Sequence, residues 1–472
     1  MSADSTAEVA VEQAPEETPE AVTDGGDATQ AEEKMEESTS APSEETTEGT
    51  TEAATEGSTE AKKETGMSGT VAKHYNDLRE GTLFDRARSR IYYQRNFNNW
   101  IKSMIIANSL KAVNRKKGCT VLDLCCGKGG DLLKWTKGNL KKLVCADIAA
   151  VSVQQCQKRY RDMADRNRRT GNAKTFAAEF IAADCAEVIL SERYQDKDIV
   201  FDLCSCQFSF HYSFETAARA RTMLRNACER LRPGGYFVGT IPNGYELVSR
   251  LKASEDLSFG NDVYKVTFEN KDSFPLFGCK YDFHLEGVVD CPEFLIYFPL
   301  LEEMAKEFDM ELVYFKKFQE VYEDNCGETD NQALMSKMQA LEQYPPEKGT
   351  PPASKKDDDY SHAVTRHTEV MGMENEEKKP TSIGTLSKSE WEASSLYCAF
   401  AFKKAGDFEE EEEEEAAPAE EEKKEEEEKT EEVANGNGDE AAEAEGEGGE
   451  EGGAEAEAEA EAEEGGGEEE AQ

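Results

Sequence analysis

The chain has 472 residues, 100 of them acidic and 54 basic, and its net charge of −46 sits at the ends: residues 1–66 carry −16, residues 406–472 carry −30, and residues 67–405 are neutral. The ends are Glu, Ala, Gly, Thr and Ser with almost no aromatic residue, too little apolar surface to offset chain entropy, which predicts two disordered acidic tails. No apolar run reaches 18 residues, no charged-then-apolar segment opens the chain and none of the 13 cysteines forms C-x-x-C, which argues against a membrane span, a secretory signal and a zinc knuckle and makes most cysteines small core residues of a reducing compartment.

Val71-Ala-Lys-His-Tyr-Asn76 opens the part expected to fold. Arg86 to Leu110 is predicted helical, because Ile91, Phe97, Trp100, Ile101, Met104 and Ile105 recur at helical spacing. Thr120–Leu124 reads as the first strand. It runs into Cys125-Cys-Gly-Lys-Gly-Gly-Asp131, where Gly127, Gly129 and Gly130 let the backbone turn and approach a ligand closely. A helix with Leu132, Leu133 and Trp135 follows, and strand, glycine turn and helix start together form the cofactor cradle of open α/β sheets. Lys142-Leu-Val-Cys-Ala-Asp147 is a second apolar run, ending in an acid about 20 residues after the glycines, where a carboxylate accepts ribose hydroxyls. Phe180-Ile-Ala-Ala-Asp184 ends in a third acid, suited to the exocyclic amine of an adenine. The loop departs from G-x-G-x-x-G, and Asp123 just before it is a poor neighbour for pyrophosphate but suits a sulfonium or amino group. S-adenosylmethionine is therefore favoured over a dinucleotide.

Val151 to Asp162 is a predicted helix, Val200 to Cys206 a fourth strand, and Ala217 to Leu231 a helix closed by Arg232-Pro-Gly-Gly235. Tyr236 to Thr240 follows as a fifth strand. Alternating strands and helices predict an α/β fold with a doubly wound, mostly parallel sheet. After Pro242 the pattern changes, and about 243–295 reads as an inserted, strand-rich lobe with Val263–Phe268, Lys280–His284 and Val288-Val289. Phe298 to Phe308 is a helix, Glu311 to Phe315 a strand and Leu396 to Phe402 the closing strand. Pro, Lys, Asp and Ser between about 344 and 385 predict a long mobile loop.

Residues 67–405 resemble the eukaryotic mRNA cap guanine-N7 methyltransferases. The resemblance is carried by Val71–Asn76, Arg95-Asn-Phe-Asn-Asn-Trp100 with Lys102, Leu122–Lys134, Cys204-Ser-Cys-Gln-Phe-Ser-Phe-His-Tyr212, Phe277-Gly-Cys-Lys-Tyr-Asp-Phe283, Leu285–Val289 with Pro292-Glu-Phe294, and Thr385-Leu-Ser-Lys-Ser-Glu-Trp391. It implies a seven-stranded methyltransferase sheet, S-adenosylmethionine as cofactor, and methyl transfer to N7 of the guanosine of a GpppN cap. Carried over residue by residue, Lys102, Cys125, Asp147, Asp184, Gln207 and Tyr212 would contact the cofactor. Asn98, Asn99, Lys128, Lys134, Arg159, His211, Glu293 and Tyr397 would contact the cap. The resemblance further implies a nuclear enzyme working on capped RNA, with a small activating subunit and the transcription or capping machinery as partners. The family usually has Gly where this chain has Cys125, a position that a side chain tolerates at negative φ and that strains it at positive φ.

Guanine N7 carries a lone pair and no proton, so the transfer needs alignment and no general base, and no metal is expected. Orientation alone can supply roughly 7–11 kcal/mol. Each residue also has a plainer reading. Asp147 and Asp184 suit helix caps, Lys128 and Lys134 solvated helix charges, and Arg159 a helix ion pair. Tyr397 and His211 suit the core, Asn98-Asn99 a cap or break in the helix, and Glu293 a helix-start charge after Pro292. A small-metabolite methyltransferase and a catalytically silent RNA-binding module are the rival functions. For the tails, the alternatives are solvated spacers and docking segments for a basic partner.

Overall fold

A computed structural model describes residues 67–77, 87–171, 175–372 and 381–406. The tails expected to be disordered lie outside the described residues. Five strands come first: β1 Cys119–Leu124, β2 Leu140–Asp147, β3 Ala177–Ala182, β4 Phe201–Gln207 and β5 Leu231–Pro242. They pair in parallel in the order β3-β2-β1-β4-β5. The chain then leaves this sheet for four antiparallel strands, β6 Ser258–Gly260, β7 Tyr264–Phe268, β8 Lys280–Leu285 and β9 Val289–Phe294, hydrogen-bonded in sequence order. It returns as β10 Met310–Lys317, forms the short pair β11 Glu342–Tyr344 and β12 Ile383–Thr385, and ends as β13 Tyr397–Lys404. β13 lies antiparallel between β5 and β10 and completes a seven-stranded sheet.

Both faces of that sheet are covered, and strand alternation explains why. Val121, Leu143, Leu203, Val238 and Ala399 point into one apolar cluster. Their chain neighbours Leu122, Val144, Cys204, Phe237 and Phe400 point into the other. The helix Tyr92–Val113 buries Phe97, Ile101, Met104 and Ile105 along one stripe on the first face. It stops at Asn114, whose φ of +48° is the left-handed cap conformation that Asn tolerates. Asn98 and Asn99 lie within this helix and neither cap nor break it. The helices Ala217–Cys228 and Phe298–Lys306 cover the second face.

Two expectations change. The helix beginning at Ala217 ends at Cys228, and Leu231–Pro242 is one long strand with a register shift opposite β4. Leu231 is taken into the sheet because its backbone pairs with Phe201. The segment expected as a mobile loop, 344–385, contains the helix Ser361–Gly372 and the strand β12, while 373–380 lie outside the described residues. Its anchors are polar and escape an apolar-pattern reading. The carboxylate of Asp359 takes the Arg90 guanidinium at 3.1 Å and the Ser389 hydroxyl at 2.8 Å, and the Tyr360 hydroxyl donates to Glu342 at 2.6 Å. Ser387 and Glu390 form a capping box that starts the helix Lys388–Ser394, and Trp391 packs edge-on against Phe97. The 385–391 motif thus ties helix Tyr92–Val113 in place.

Candidate active site

Strand order reverses at β1, with β2 on one side and β4 on the other, and the crevice beyond the carboxyl ends of these strands is where open α/β sheets bind ligands. A cavity of about 650 Å³ opens there. Of the residues expected at the cofactor, all six line it: Lys102, Cys125, Asp147, Asp184, Gln207 and Tyr212. Lys128 lines it too. Asn98, Asn99, Lys134, Arg159, His211, Glu293 and Tyr397 do not.

The glycine loop is held by Asp147, the last residue of β2. The Gly127 N–H donates to one carboxylate oxygen at 2.9 Å and the Ala149 N–H to the other at 2.8 Å. Asp147 is not the cap of the helix Ala150–Thr170, whose N-cap is Ala149, and one of its bonds crosses to the neighbouring loop. Burial pushes its carboxyl up to about 7, with negative charge on the neighbouring Cys125 sulfur adding to the rise and the two N–H bonds opposing it. Gly129 has φ +78°, and a Cβ there would lie 2.7 Å from the Leu132 side chain and 2.8 Å from the Cys156 sulfur. Cys125 has φ +61°. The Cys125 side chain is therefore strained, by about 1–2 kcal/mol for a left-handed L-residue. Behind the loop the sulfurs of Cys126, Cys145 and Cys156 lie within 4.8 Å of one another, all buried, a grouping the sequence spacing does not announce.

Asp123 departs from its expectation. It is 3 % exposed, lies off the cavity and accepts from the Trp135 indole N–H at 3.0 Å. Burial, then the neighbouring Asp131, raise its carboxyl well above the usual range. In β1 it points to the face that carries Trp135, so it anchors the helix after the loop and does not line the cavity.

Asp131 takes up the charge near the loop, and sequence reasoning overlooked it. Lys102 and Lys134 both pair with it at 2.8 Å, and Lys134 also donates to Asn99 at 2.5 Å. Burial alone would raise the Asp131 carboxyl, but the two ammonium groups hold it at about 2. Burial lowers Lys134, with Asp131 opposing. The acid three residues before Lys134 was the available signal. Asp184 accepts from the Ala186 N–H at 2.9 Å and pairs with Arg219 at 2.8 Å. Arg219 also donates to Ser68 in the helix Met67–Asp77, and Met67, Ser68, Val71 and Tyr75 of that helix line the cavity. Gln207 donates to Ser205 at 2.9 Å and accepts from Thr240 at 3.2 Å, which fixes its amide at the end of β4.

A second group lies beside the cavity. Glu293 is 3 % exposed on β9, in a strand and not at a helix start. One of its oxygens, Oε1, is 3.3 Å from the Tyr212 hydroxyl and 3.3 Å from His211 Nε2; the other, Oε2, accepts from the Tyr281 hydroxyl at 2.8 Å. Tyr75 meets Tyr212 hydroxyl to hydroxyl at 3.2 Å. Both ring nitrogens of buried His211 lack a hydrogen bond among the described residues. Nε2 has the Glu293 oxygen at 3.3 Å as a polar neighbour, and Nδ1 is left to accept or donate to a ligand. Tyr397, at the start of β13, stacks on Phe318 at 5.7 Å and meets Phe208 edge-on at 5.0 Å. Asn98 accepts from Ser394 at 3.4 Å. Arg159 sits half-buried on the helix Ala150–Thr170, its pKa lowered by that burial.

The cavity thus has acids at two strand ends, a backbone loop open towards it and a fixed amide, a set of acceptors and donors for a ribose, an adenine and an amino-acid moiety, with a buried carboxylate and imidazole next door. Residues 58–405 match the sequence model of the mRNA (guanine-N(7))-methyltransferase domain. The chain is 45% identical over 341 residues to the mRNA cap guanine-N(7) methyltransferase of Drosophila melanogaster, covering 71% of this chain and 76% of that protein. It is 41% identical to the protein of the same name in Caenorhabditis elegans, over 71% of this chain and 87% of that one. It is 37% identical to mRNA cap guanine-N(7) methyltransferase 1 of Oryza sativa, over 73% of this chain and 83% of that one.

Proposed function

The chain belongs to the mRNA cap guanine-N7 methyltransferase family, and from that premise we propose how its residues divide the reaction. The enzyme transfers a methyl group to N7 of the terminal guanosine of capped mRNA, and S-adenosylmethionine is its cofactor. When bound, S-adenosylmethionine supplies an electrophilic methyl group on a sulfonium sulfur. In our reading Asp147 accepts the ribose hydroxyls, Asp184 with its Arg219 partner borders the adenine, and Lys102, Gln207, Tyr212 and the Cys125 backbone surround the remainder. The 650 Å³ cavity that these residues line supports this assignment.

For the cap, Glu293 accepts from guanine N1–H and the exocyclic amine, His211 and Tyr397 border the purine, and Asn98, Asn99, Lys128, Lys134 and Arg159 serve the remainder of the cap, the cationic ones its phosphates. N7 has no proton to lose, so these residues orient the base, exclude water and need not move a proton. A carboxylate against the purine also favours the positive charge that develops on it. The observation that carries the reading is the buried Glu293 carboxylate, met by two phenols and an imidazole whose nitrogens have no hydrogen bond of their own.

We read residues 67–405 as the methyltransferase domain, the nucleus as its place of work, a small activating subunit and the transcription or capping machinery as its partners, and the acidic tails as docking segments for a basic partner. Family membership and the tail charge of −46 support this. No helix among the described residues is long and apolar enough to cross a membrane. The test is transfer of a radiolabelled methyl group to GpppG-capped RNA by the full chain, with nuclease mapping of the label to N7. Glu293→Gln is expected to lower transfer by about 10- to 150-fold, the equivalent of 1.5–3 kcal/mol for a hydrogen bond to a charged group, with cofactor affinity unchanged. Full activity of that variant would make Glu293 a structural acid.

A further inference from the structure

Tyr281 and Glu293 stand directly opposite each other on β8 and β9. Both are buried, at 1 % and 3 % exposed. The bond from the Tyr281 hydroxyl to Glu293 Oε2, at 2.8 Å, is the shortest that this carboxylate makes among the described residues. The contacts on Oε1, to Tyr212 and His211, are each 3.3 Å long.

We propose that Tyr281 is a positioning residue for base recognition, fixing the Glu293 carboxylate in the orientation that accepts both guanine N1–H and the exocyclic amine. The inference rests on the reading of Glu293 as the acceptor of the guanine edge. A glutamate does not set this orientation for itself, because its terminal torsion is broad and roughly two-fold. Guanine presents two parallel donors in one plane, so bidentate acceptance needs the carboxylate in that plane. A carboxylate offers about four lone-pair sites. Tyr281 occupies one on Oε2 and leaves the other free. On Oε1 the two long contacts are the ones that yield when a base arrives. The Tyr281 ring is itself fixed, stacked on Phe268 at 5.2 Å with an interplanar angle of 28°. Burial, then Glu293, push its phenol well above the ordinary value, so it stays protonated and able to donate.

The test compares Tyr281→Phe and Glu293→Gln with the unaltered full-length protein on RNAs capped with GpppG and with IpppG. Inosine lacks the exocyclic amine and keeps N1–H. Cofactor affinity is followed by calorimetry. For Tyr281→Phe the expected result is unchanged cofactor affinity, a KM for the guanosine cap raised on the order of tenfold with kcat little altered, and a guanosine-to-inosine preference reduced by a similar factor. The preference is a ratio taken on one preparation, so misfolded protein cancels from it; Tyr281→Met replaces the Phe variant if that one does not accumulate. An unchanged preference in Tyr281→Phe, together with a lost preference in Glu293→Gln, overturns the proposal and leaves the base-reading role of Glu293 standing. An unchanged preference in both overturns both.

Discussion

At the scale of single residues, burial decides what a charge can do. Asp147 is covered enough that its carboxyl ionises near 7 and not near 4. Ribose hydroxyls donate to the ionised form, so binding draws a proton off the enzyme. Below about 7 that proton must be displaced and affinity falls; above about 8 the site is already ionised and affinity levels off. Calorimetry in buffers of different ionisation enthalpy should show proton release between about pH 6 and 8 that vanishes in Asp147→Ala. The same variant should lose about 1.5–3 kcal/mol of cofactor binding at pH 8. Affinity independent of both pH and the substitution would exclude Asp147 from the ribose. Cys125 tests the opposite matter, backbone strain. Its φ of +61° favours glycine. Cys125→Gly relieves about 1–2 kcal/mol of left-handed strain and adds about 0.5–1 kcal/mol of unfolded-chain entropy. Denaturant melting should find the variant as stable as the parent or up to about 1.5 kcal/mol more so, and a clear loss would mean that the thiol's packing outweighs the strain.

At the scale of the element, the glycine loop separates a folding requirement from a binding one. Gly129 has positive φ and a Cβ there meets Leu132 and Cys156, whereas a Cβ on Gly130 meets nothing within 4 Å. Gly129→Ala should therefore cost about 2–5 kcal/mol of stability, adding backbone strain to overpacking. Gly130→Ala should fold within about 0.5 kcal/mol of the parent, as substitutions away from packed neighbours do, but bind the cofactor more weakly, because Gly130 lines the cavity. Denaturation midpoints and cofactor affinities measured on both variants check this. Equal stabilities would mean that the loop adjusts around Gly129, and an unaltered affinity for Gly130→Ala would mean that nothing approaches it.

At the scale of the whole molecule, a neutral middle that works on a polyanion is joined to ends that carry −16 and −30. Acidic segments attached to the domain have a high effective concentration at its basic groups and repel RNA at long range. Both effects fade as the Debye length falls from about 10 Å at 0.1 M salt to about 3 Å at 1 M. Residues 67–405 alone should therefore associate with capped RNA faster than the full chain at about 50 mM salt, and the difference should close by about 300 mM. Stopped-flow association rates at the two salts decide it; equal rates at low salt would leave the tails as spacers or docking segments.

The sequence by itself determined the sheet and its cofactor end. Apolar runs ending in Asp147 and shortly before Asp184, and glycines after Leu124, are local patterns, and each fixes a strand or a turn without help from distant residues. It also marked Glu293 and His211, through a family resemblance and not through spacing. Only the tertiary structure decided which charges meet. Asp123, next to the loop in sequence, is turned by strand alternation onto Trp135, while Asp131 gathers Lys102 and Lys134 from two helices. The helix Ser361–Gly372 was hidden because polar anchors, Asp359 and Tyr360, hold it through partners far along the chain. Tyr281 gains its partner only when β8 and β9 pair, because strand register is a property of two segments and cannot be read from either alone.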